Sequence, residues 1–293
     1  MPLERGQDLI QAPKSEFVAM LEKRWSQGHF LCVGLDSDRD KITKLYGLGQ
    51  FAFNKEIVDV TNNLVCAYKP NSAFYEAQLR RGGMVALIET VKYIHDHYPG
   101  IPVILDAKKN DIGNTAEQYA RFVFDEIGAD GVTLNPYLGR EAMTPFLERS
   151  DKGNIYLVKT SNPGAGEFQD LPVGPEQTPL YQVVAQHIAE SWNVNGNCAV
   201  VVGATKPREL LEVRELIGDM PMLIPGLGKV QGGRPEDLPP AYNQRGTGII
   251  ANLSREIIFP EVKEGEQLQS AIRRKAVEWH DAILQARTQA LQA

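Results

Sequence analysis

Short apolar runs alternate with amphipathic stretches along nearly the whole chain, and this alternation predicts the fold. Eight of the runs are rich in β-branched residues and have the length of buried strands. They cover residues 30–35, 65–69, 102–106, 131–134, 155–159, 199–202, 222–225 and 247–251. Strands that are separated by helices form parallel sheets, because a crossover helix returns the chain to the same edge. The pattern therefore predicts an α/β fold.

Helices are predicted between these strands by apolar residues at helical spacing. The candidate segments are 55–64, 84–97, 115–127, 140–147, 180–192, 207–217, a weaker segment after Pro235, and a closing helix over 267–288. Within the second segment an apolar stripe predicts the face that packs on the strands, and this stripe consists of Val85, Ile88, Val91, Tyr93 and Ile94.

Eight strand–helix units in 293 residues most simply close into a (β/α)8 TIM barrel. We therefore predict a single barrel domain over residues 1–293, with a helix over 15–27 that covers the bottom of the barrel and has Ser15 as its N-cap. An open doubly wound sheet is the alternative. The first strand is followed by Gly34-Leu35-Asp36-Ser37-Asp38 and not by Gly-x-Gly-x-x-Gly, which argues against a dinucleotide site.

Composition limits the classes of partner. The net charge is −6 and the pI is about 5.5, with no long block of Lys or Arg, which argues against binding to nucleic acid or to an anionic membrane. No apolar run reaches the roughly eighteen residues of a membrane span, and the N-terminus has no signal-peptide core, so we expect a cytoplasmic protein. Cys32, Cys66 and Cys198 lie in apolar runs without disulfide or metal spacing, so they are expected to be buried and reduced.

The chemistry is expected where the strand over 102–106 ends. The apolar run continues into Asp106-Ala107-Lys108-Lys109-Asn110-Asp111, so a buried strand opens into a series of acids and bases. Residues two apart on a strand share a face, so Asp106 and Lys108 should project together, with Asp111 close behind. Charges gathered in a partly desolvated place are costly unless they are compensated, and such clusters are typical of active sites. The alternative is a solvated ion pair at the rim, which contributes little.

The ends of the other strands are also polar, and in a barrel they meet at one rim. They carry Asp36, Lys69-Pro70-Asn71, Asn135, Thr160-Ser161-Asn162, Thr205, Pro225-Gly226 and residues 252–255. The loop 225–233 is glycine-rich and Arg255 follows the last strand, so together they predict a phosphate cradle. A plain flexible loop is the alternative. The loop 161–175 has no helical period and predicts a lid over the site.

Taken together, these residues resemble the orotidine 5'-phosphate decarboxylase family in its longer bacterial form. The resemblance rests on Asp106-x-Lys108-x-x-Asp111-Ile112-x-x-Thr115, Asp36, Lys69-Pro70-Asn71, Thr160-Ser161-Asn162-Pro163-Gly164, Pro225-Gly226 with Gln231-Gly232-Gly233, and Ser254-Arg255. It extends from about residue 30 to residue 259. It implies a (β/α)8 barrel and a carboxy-lyase that converts orotidine 5'-phosphate to UMP and carbon dioxide, with no metal and no other cofactor.

The resemblance also implies a role for each residue of the motifs. Lys69, Asp106, Lys108 and Asp111 would form a charge chain in which Lys108 donates a proton to a C6 carbanion. Asp111, Ile112 and Thr115 would come from the partner subunit, so that shared active sites form only in a homodimer. The implied substrate-binding residues are Asp36, Asn71, Ile112, Thr115, Ser161, Pro225, Gln231, Gly232, Gly233 and Arg255. Asp36 and Thr115 would hold the ribose, Ser161 and Pro225 the base, and the last four residues the phosphate.

Two other functions are compatible with parts of this pattern. A metal-dependent sugar-phosphate decarboxylase or aldolase of the same superfamily also carries Asp-x-Lys-x-x-Asp. It needs a second carboxylate at the end of strand two, where this chain has the cation Lys69. A catalytically silent barrel that binds nucleotides or acts as a scaffold is the other alternative, although binding alone does not require Lys108 between two acids.

Overall fold

Eight parallel strands surround the centre of the computed structural model, which describes residues 14–292. They are β1 (Leu31–Leu35), β2 (Val65–Pro70), β3 (Ile104–Lys109), β4 (Gly131–Leu134), β5 (Gly153–Lys159), β6 (Cys198–Val202), β7 (Met222–Ile224) and β8 (Ile249–Leu253). Hydrogen bonds join them in the order β2-β1-β8-β7-β6-β5-β4-β3. Each predicted strand is present, with bounds within three residues of those expected.

The two ends of this sheet meet, so that the sheet curls into a nearly closed barrel. Isolated parallel bridges between β2 and β3 pair Tyr68 with Val103 and Asn71 with Asp106. The predicted (β/α)8 fold is confirmed, and the open-sheet alternative is wrong. β1, β6 and β8 are buried along their whole length, which explains why they are continuous apolar runs and not alternating ones. That residues 1–293 form one domain stays a prediction.

Helices connect the strands and cover the barrel. The α-helices of the described part are α1 (Glu16–Ser26), α2 (Arg39–Tyr46), α3 (Gln50–Thr61), α4 (Ser72–Glu76), α5 (Gly83–His97), α6 (Gly113–Arg121), α7 (Arg140–Leu147), α8 (Gly166–Gln169), α9 (Leu180–His187), α10 (Pro207–Ile217), α11 (Arg255–Ile258) and α12 (Leu268–Ala290). π-Helical turns over Phe122–Glu126 and Ile188–Trp192 extend α6 and α9. Short 3-10 turns lie at Leu79–Arg81, Pro136–Leu138, Pro163–Ala165, Asn193–Asn195, Pro235–Asp237 and Pro239–Ala241.

The apolar pattern predicts some helices well and misses others. α7 and α10 have the predicted bounds. The pattern does not predict α4, α8 and α11, because helices of four or five residues show little more than one helical turn. It also misses α2, which buries only Ile42 and so has no apolar stripe. The predicted segment after Pro235 forms 3-10 turns and no α-helix, because Pro235, Pro239 and Pro240 lack the amide donors that an α-helix needs.

The predicted apolar stripe of α5 is partly wrong. Val91 and Ile94 are buried together with Leu87, as a stripe at helical spacing requires. Val85 and Ile88 are 58% and 40% exposed, because they lie on the side of the helix that faces away from the strands.

α1 covers the bottom of the barrel, as predicted. The Ser15 hydroxyl accepts a hydrogen bond from the Val18 amide at 3.2 Å, which confirms Ser15 as the N-cap. The ring of Phe17 packs directly on the first residues of β4 and β5. A Cβ at Gly153 would lie 2.3 Å from the Phe17 ring, so glycine is needed there for the close approach.

The three cysteines are buried and free, as predicted. Burial raises the pKa of the Cys32 thiol to about 12 and that of the Cys66 thiol well above its usual value. Within residues 14–292, no helix is both long enough and apolar enough to cross a membrane.

Candidate active site

A cavity of about 170 Å³ opens at the carboxyl ends of the strands. Its lining contains seven of the predicted site residues, which are Asp36, Lys69, Asn71, Asp106, Pro225, Gln231 and Arg255. These residues come from distant parts of the chain, and they meet because parallel strands place all their carboxyl ends at one rim. The structure thus assembles half of the fourteen predicted site residues around one cavity within one chain.

An ion-pair cluster lies at the centre of the site. The Lys69 ammonium donates to Asp106 Oδ2 at 2.7 Å, and the Lys108 ammonium donates to Asp106 Oδ1 at 2.6 Å. The Lys69 side chain is 4% exposed, that of Asp106 12% and that of Lys108 50%. Asp106 therefore lies between a buried cation and a cation that reaches solvent, which is not the solvated rim pair of the alternative interpretation.

The charges in this cluster stabilise each other's ionised forms. Burial by itself would raise the pKa of the Asp106 carboxyl, but the ammonium groups of Lys69 and Lys108 hold that pKa well below its usual range. Burial would likewise lower the pKa of Lys69, but Asp106 and Asp36 together raise it above its usual value. Lys69 and Asp106 therefore stay charged across the physiological pH range.

Lys108 and Asp106 are in contact, as strand alternation predicts, but the backbone that joins them is not a regular strand. Lys108 has a φ of +48°, which is the left-handed region that non-glycine residues seldom adopt. The pairing of β3 with β4 also shifts between Leu105 and Lys109. The sequence correctly predicts that the two side chains meet, but an irregular backbone brings them together.

Asp111, Ile112 and Thr115 do not reach the cavity of their own chain. The Asp111 carboxylate accepts a hydrogen bond from the amide of the next residue, Ile112, at 2.8 Å. Ile112 is 57% exposed and Thr115 is exposed as well. Within one chain these three residues therefore lie outside the lining of the cavity, with Asp111 half-buried and the other two exposed.

Ser161 stands at the rim beside β6 and β7. A Cβ at Gly203 would lie 2.7 Å from Ser161 Cβ, and one at Gly226 would lie 3.4 Å from its Oγ. The side chain therefore lies next to Pro225, which lines the cavity. This placement agrees with the predicted grouping of Ser161 and Pro225.

The loop 161–175 has more structure than the sequence predicts. It contains a 3-10 turn and α8, and it continues into a small hairpin between Pro172–Val173 and Thr178–Pro179. The Thr160 amide donates to Gln169 Oε1 at 2.9 Å, and the Gln169 amide group donates back to the Thr160 hydroxyl at 2.9 Å. The buried Lys159 also pairs with Asp170. These contacts join residues 159–160 to residues 169–170 and so close the segment that carries Ser161. No local sequence pattern predicts them.

The glycine-rich loop contributes differently from the prediction. The amides of Gly232 and Gly233 already donate to the carbonyls of Gly228 and Gly226, at 2.8 and 2.9 Å. Neither glycine lines the cavity, whereas the side chains of Gln231 and Arg255 do, and both are exposed. The groups that face the cavity as donors for an anion are therefore these two side chains.

Several residues that line the cavity have no role in the sequence-based prediction. They are Leu227, Val230, Asn252, Ser254 and Glu256. Asn252 and Ser254 stand at a predicted strand end, which is the one local signal that marks them. A Cβ at Gly34 would lie 2.0 Å from Ser254 Oγ, so the glycine of β1 makes the room that this serine occupies. Within residues 14–292, no three His, Cys, Asp or Glu side chains group as a metal site.

The fold and the site together define a (β/α)8-barrel enzyme with a lysine–aspartate centre at the rim of the barrel. The sequence model of the family described as "Orotidine 5'-phosphate decarboxylase / HUMPS family" matches residues 29–268. The chain therefore belongs to this family.

Individual relatives agree with this assignment. The orotidine 5'-phosphate decarboxylase of Janthinobacterium sp. (strain Marseille) is 45% identical over 271 residues, which are 91% of this chain and 97% of that protein. The enzyme of the same name from Azoarcus sp. (strain BH72) is 44% identical over 91% of this chain and 98% of its own. The solved structure of Leishmania donovani OMP decarboxylase superposes with a TM-score of 0.78 at 32% identity, covering 93% of this chain and 98% of that one. The predicted family and its reaction, the decarboxylation step of UMP biosynthesis, are confirmed.

Proposed function

We propose that the cavity binds orotidine 5'-phosphate and that Lys108 protonates C6 of the pyrimidine as carbon dioxide leaves. The observation that carries this proposal is the Lys69–Asp106–Lys108 array, in which Lys69 and Asp106 line the cavity and the half-exposed Lys108 side chain bonds to Asp106. The bond between C6 and the carboxylate carbon breaks, and its electron pair stays on C6. Lys108 transfers one proton to C6 and regains it from solvent afterwards.

The charges of the cluster match the demands of this step. A carbanion in the ring plane needs direct electrostatic stabilisation, because no ring carbonyl delocalises it well. An ammonium about 4 Å away, at an effective dielectric constant of about 20, contributes roughly 4 kcal/mol. That is about three decades of rate. Asp106 repels the substrate carboxylate by a similar amount, and binding of the remote phosphate supplies further transition-state stabilisation.

The remaining polar groups of the rim suit the parts of a nucleotide. Arg255 and Gln231 are the donors for the phosphate, with Gly232 and Gly233 contributing backbone amides if the loop rearranges around it. Asp36 Oδ1 is buried without a hydrogen-bond partner among the described residues, and it accepts from a ribose hydroxyl. Asn71 lies beside it, while Ser161 and Pro225 hold the base.

The active sites are shared in a homodimer. Asp111, Ile112 and Thr115 of one subunit complete the site of the other, with Asp111 extending the charge chain to Lys108 and Thr115 reaching the ribose. The support for this arrangement is the exposure of Ile112 and Thr115, and of the apolar side chains that follow β4, with Tyr137 84% and Leu138 46% exposed. Apolar surface of this kind is typical of an interface.

Two experiments test the proposal. Lys108→Ala is expected to abolish conversion of orotidine 5'-phosphate to UMP, followed by the change in ultraviolet absorbance, and near-native turnover would refute the assignment of Lys108. A mixture of inactive Lys108→Ala and Asp111→Ala proteins is expected to regain activity, because half of the sites in a heterodimer carry both native residues. No recovery, despite demonstrated subunit exchange, would refute the shared site.

The metal-dependent alternative predicts a different result. The end of β2 carries the Lys69 ammonium, 2.7 Å from Asp106, where a divalent cation would meet repulsion. We therefore expect full activity in the presence of a chelator. A silent nucleotide-binding barrel would bind UMP in calorimetry and show no turnover.

A further inference from the structure

The hydroxyl of Thr133 is the centre of a small hydrogen-bond network under the catalytic cluster. Thr133 belongs to β4 and is 1% exposed. Its Oγ1 accepts from the amides of Ala107 and Lys108, both at 3.0 Å, and donates to Asp106 Oδ1 at 2.9 Å. A hydroxyl has one proton and two lone pairs, so these three bonds use its full capacity.

This network stands where the regular strand pairing fails. Leu105 pairs with Val132 and Lys109 pairs with Leu134, so four steps along β3 correspond to two steps along β4. The extra residues form a bulge, and the backbone amides in a bulge lose their ladder partners. The Thr133 side chain replaces those partners for two of the amides.

The bulge also contains the strained residue. Lys108 adopts a φ of +48°, which costs a non-glycine residue free energy and persists only where its surroundings enforce it. A change of the Lys108 backbone to another conformation would alter the direction of its side chain, so the contact with Asp106 depends on the bulge that is present. The Thr133 hydroxyl holds both ends of the contact, because it binds the Lys108 amide and the Asp106 oxygen that accepts from Lys108 Nζ.

We propose that Thr133 is a positioning residue of the decarboxylation, whose hydroxyl holds the 106–108 bulge so that the Lys108 ammonium and the Asp106 carboxylate face the substrate together. The inference rests on the proposed role of Lys108. Thr133 does not line the cavity, and the phosphate donors Gln231 and Arg255 belong to other elements. Removal of the hydroxyl should therefore impair the chemical step and leave nucleotide binding intact.

The test compares one substitution that removes the hydroxyl with one that removes only the methyl group. Thr133→Val removes the hydroxyl and keeps the shape, whereas Thr133→Ser keeps the hydroxyl. We expect Thr133→Val to lower kcat by about 10- to 100-fold, the effect of a misplacement of about 1 Å. KM and the affinity for UMP, measured by calorimetry, should change less than about threefold, and Thr133→Ser should restore kcat to nearly the native value.

A matched control separates positioning from general stability. Thr61 is also fully buried, and its hydroxyl bonds the Ile57 carbonyl and the Tyr68 hydroxyl and no member of the cluster. Thr61→Val should lower the melting temperature and leave kcat unchanged. If Thr133→Val does not fold, Thr133→Cys replaces it in the test, because a thiol is a weaker hydrogen-bond donor and acceptor than a hydroxyl. The kcat of Thr133→Cys should then be lower than that of Thr133→Ser.

Several results would overturn the inference. They are a native kcat in Thr133→Val or in Thr133→Cys, an equal loss in Thr133→Ser, and a parallel loss of UMP binding and kcat. The proposed function fails differently, because it is refuted by native turnover in Lys108→Ala whatever the Thr133 variants do.

Discussion

Replacement of Asp106 by Asn tests the electrostatic account of the site most directly. The carboxylate accepts from Lys69 at 2.7 Å, from Lys108 at 2.6 Å and from Thr133 at 2.9 Å. Asparagine keeps the shape and removes the charge. Lys69, whose side chain is 4% exposed, would then be a buried cation whose nearest counter-charge is gone.

The size of the effect follows from burial. Removing one partner of a buried ion pair costs about 3–5 kcal/mol, because the other charge stays uncompensated. The ion pair between Lys108 and Asp106 adds little to the free energy of unfolding, since the Lys108 side chain is 50% exposed and water screens its charge. We therefore expect Asp106→Asn to lower the free energy of unfolding by about 3–5 kcal/mol at pH 7. Asp106→Asn also removes the charge that holds the Lys108 ammonium, and this should lower kcat/KM by up to about three decades.

The sign of the pH dependence is part of the prediction. The pKa of Asp106 is lowered in the fold, so its stabilisation is complete above the ordinary carboxyl pKa of about 4 and is lost as pH falls below it. The difference in stability between the native protein and Asp106→Asn should thus be constant from pH 5 to about pH 8 and shrink below about pH 4.

Urea unfolding at fixed protein concentration, followed by tryptophan fluorescence, measures the stability, and the ultraviolet assay measures turnover. Asp40→Asn is the matched control, because Asp40 forms an exposed pair with Arg81 at 3.2 Å, with side chains 77% and 62% exposed. That change should cost less than about 1 kcal/mol. If Asp106→Asn costs no more than Asp40→Asn, the reasoning from burial is wrong.

Other predictions concern other parts of the molecule. Native Cys32 should react with thiol reagents only on unfolding, because burial raises its pKa to about 12. Burial and the nearby Arg24 and His280 lower the pKa of His29 to about 4, so stability should fall as pH drops from about 6.5 to about 4, and His29→Gln should flatten this slope. Gly34→Ala should displace Ser254 and raise KM by about tenfold or more, since the new Cβ would lie 2.0 Å from Ser254 Oγ.

Each of these predictions has a clear contrary outcome. Rapid labelling of the folded protein by a thiol reagent would contradict the burial of Cys32. If stability falls with decreasing pH as steeply in His29→Gln as in the native protein, His29 is not the group responsible. A native KM in Gly34→Ala would show that the packing of Ser254 against β1 is unimportant for binding. The control for a glycine replacement is Gly49→Ala, because Gly49 is exposed, has a φ of −86° and has no atom near its Cβ position.

The sequence by itself determines the order of elements and the location of the chemistry. Apolar runs mark all eight strands, and helical spacing marks α7 and α10, because these signals are local to each segment. Asp106, Lys108 and Asp36 are recognisable as candidates since charged residues at the ends of buried strands have few structural reasons to be there.

Only the tertiary structure decides how those residues meet. The bulge at 106–108 and the hydroxyl of Thr133 depend on the register between β3 and β4, and a threonine in an apolar strand carries no local signal of that role. The same holds for the Gly34–Ser254 contact, which joins residues more than two hundred positions apart. The periodicity of a sequence indicates the direction of each side chain relative to its own helix or strand. Contacts between elements depend on how the elements pack. The packing of β3 against β4 therefore sets the backbone from which the Lys108 ammonium reaches Asp106.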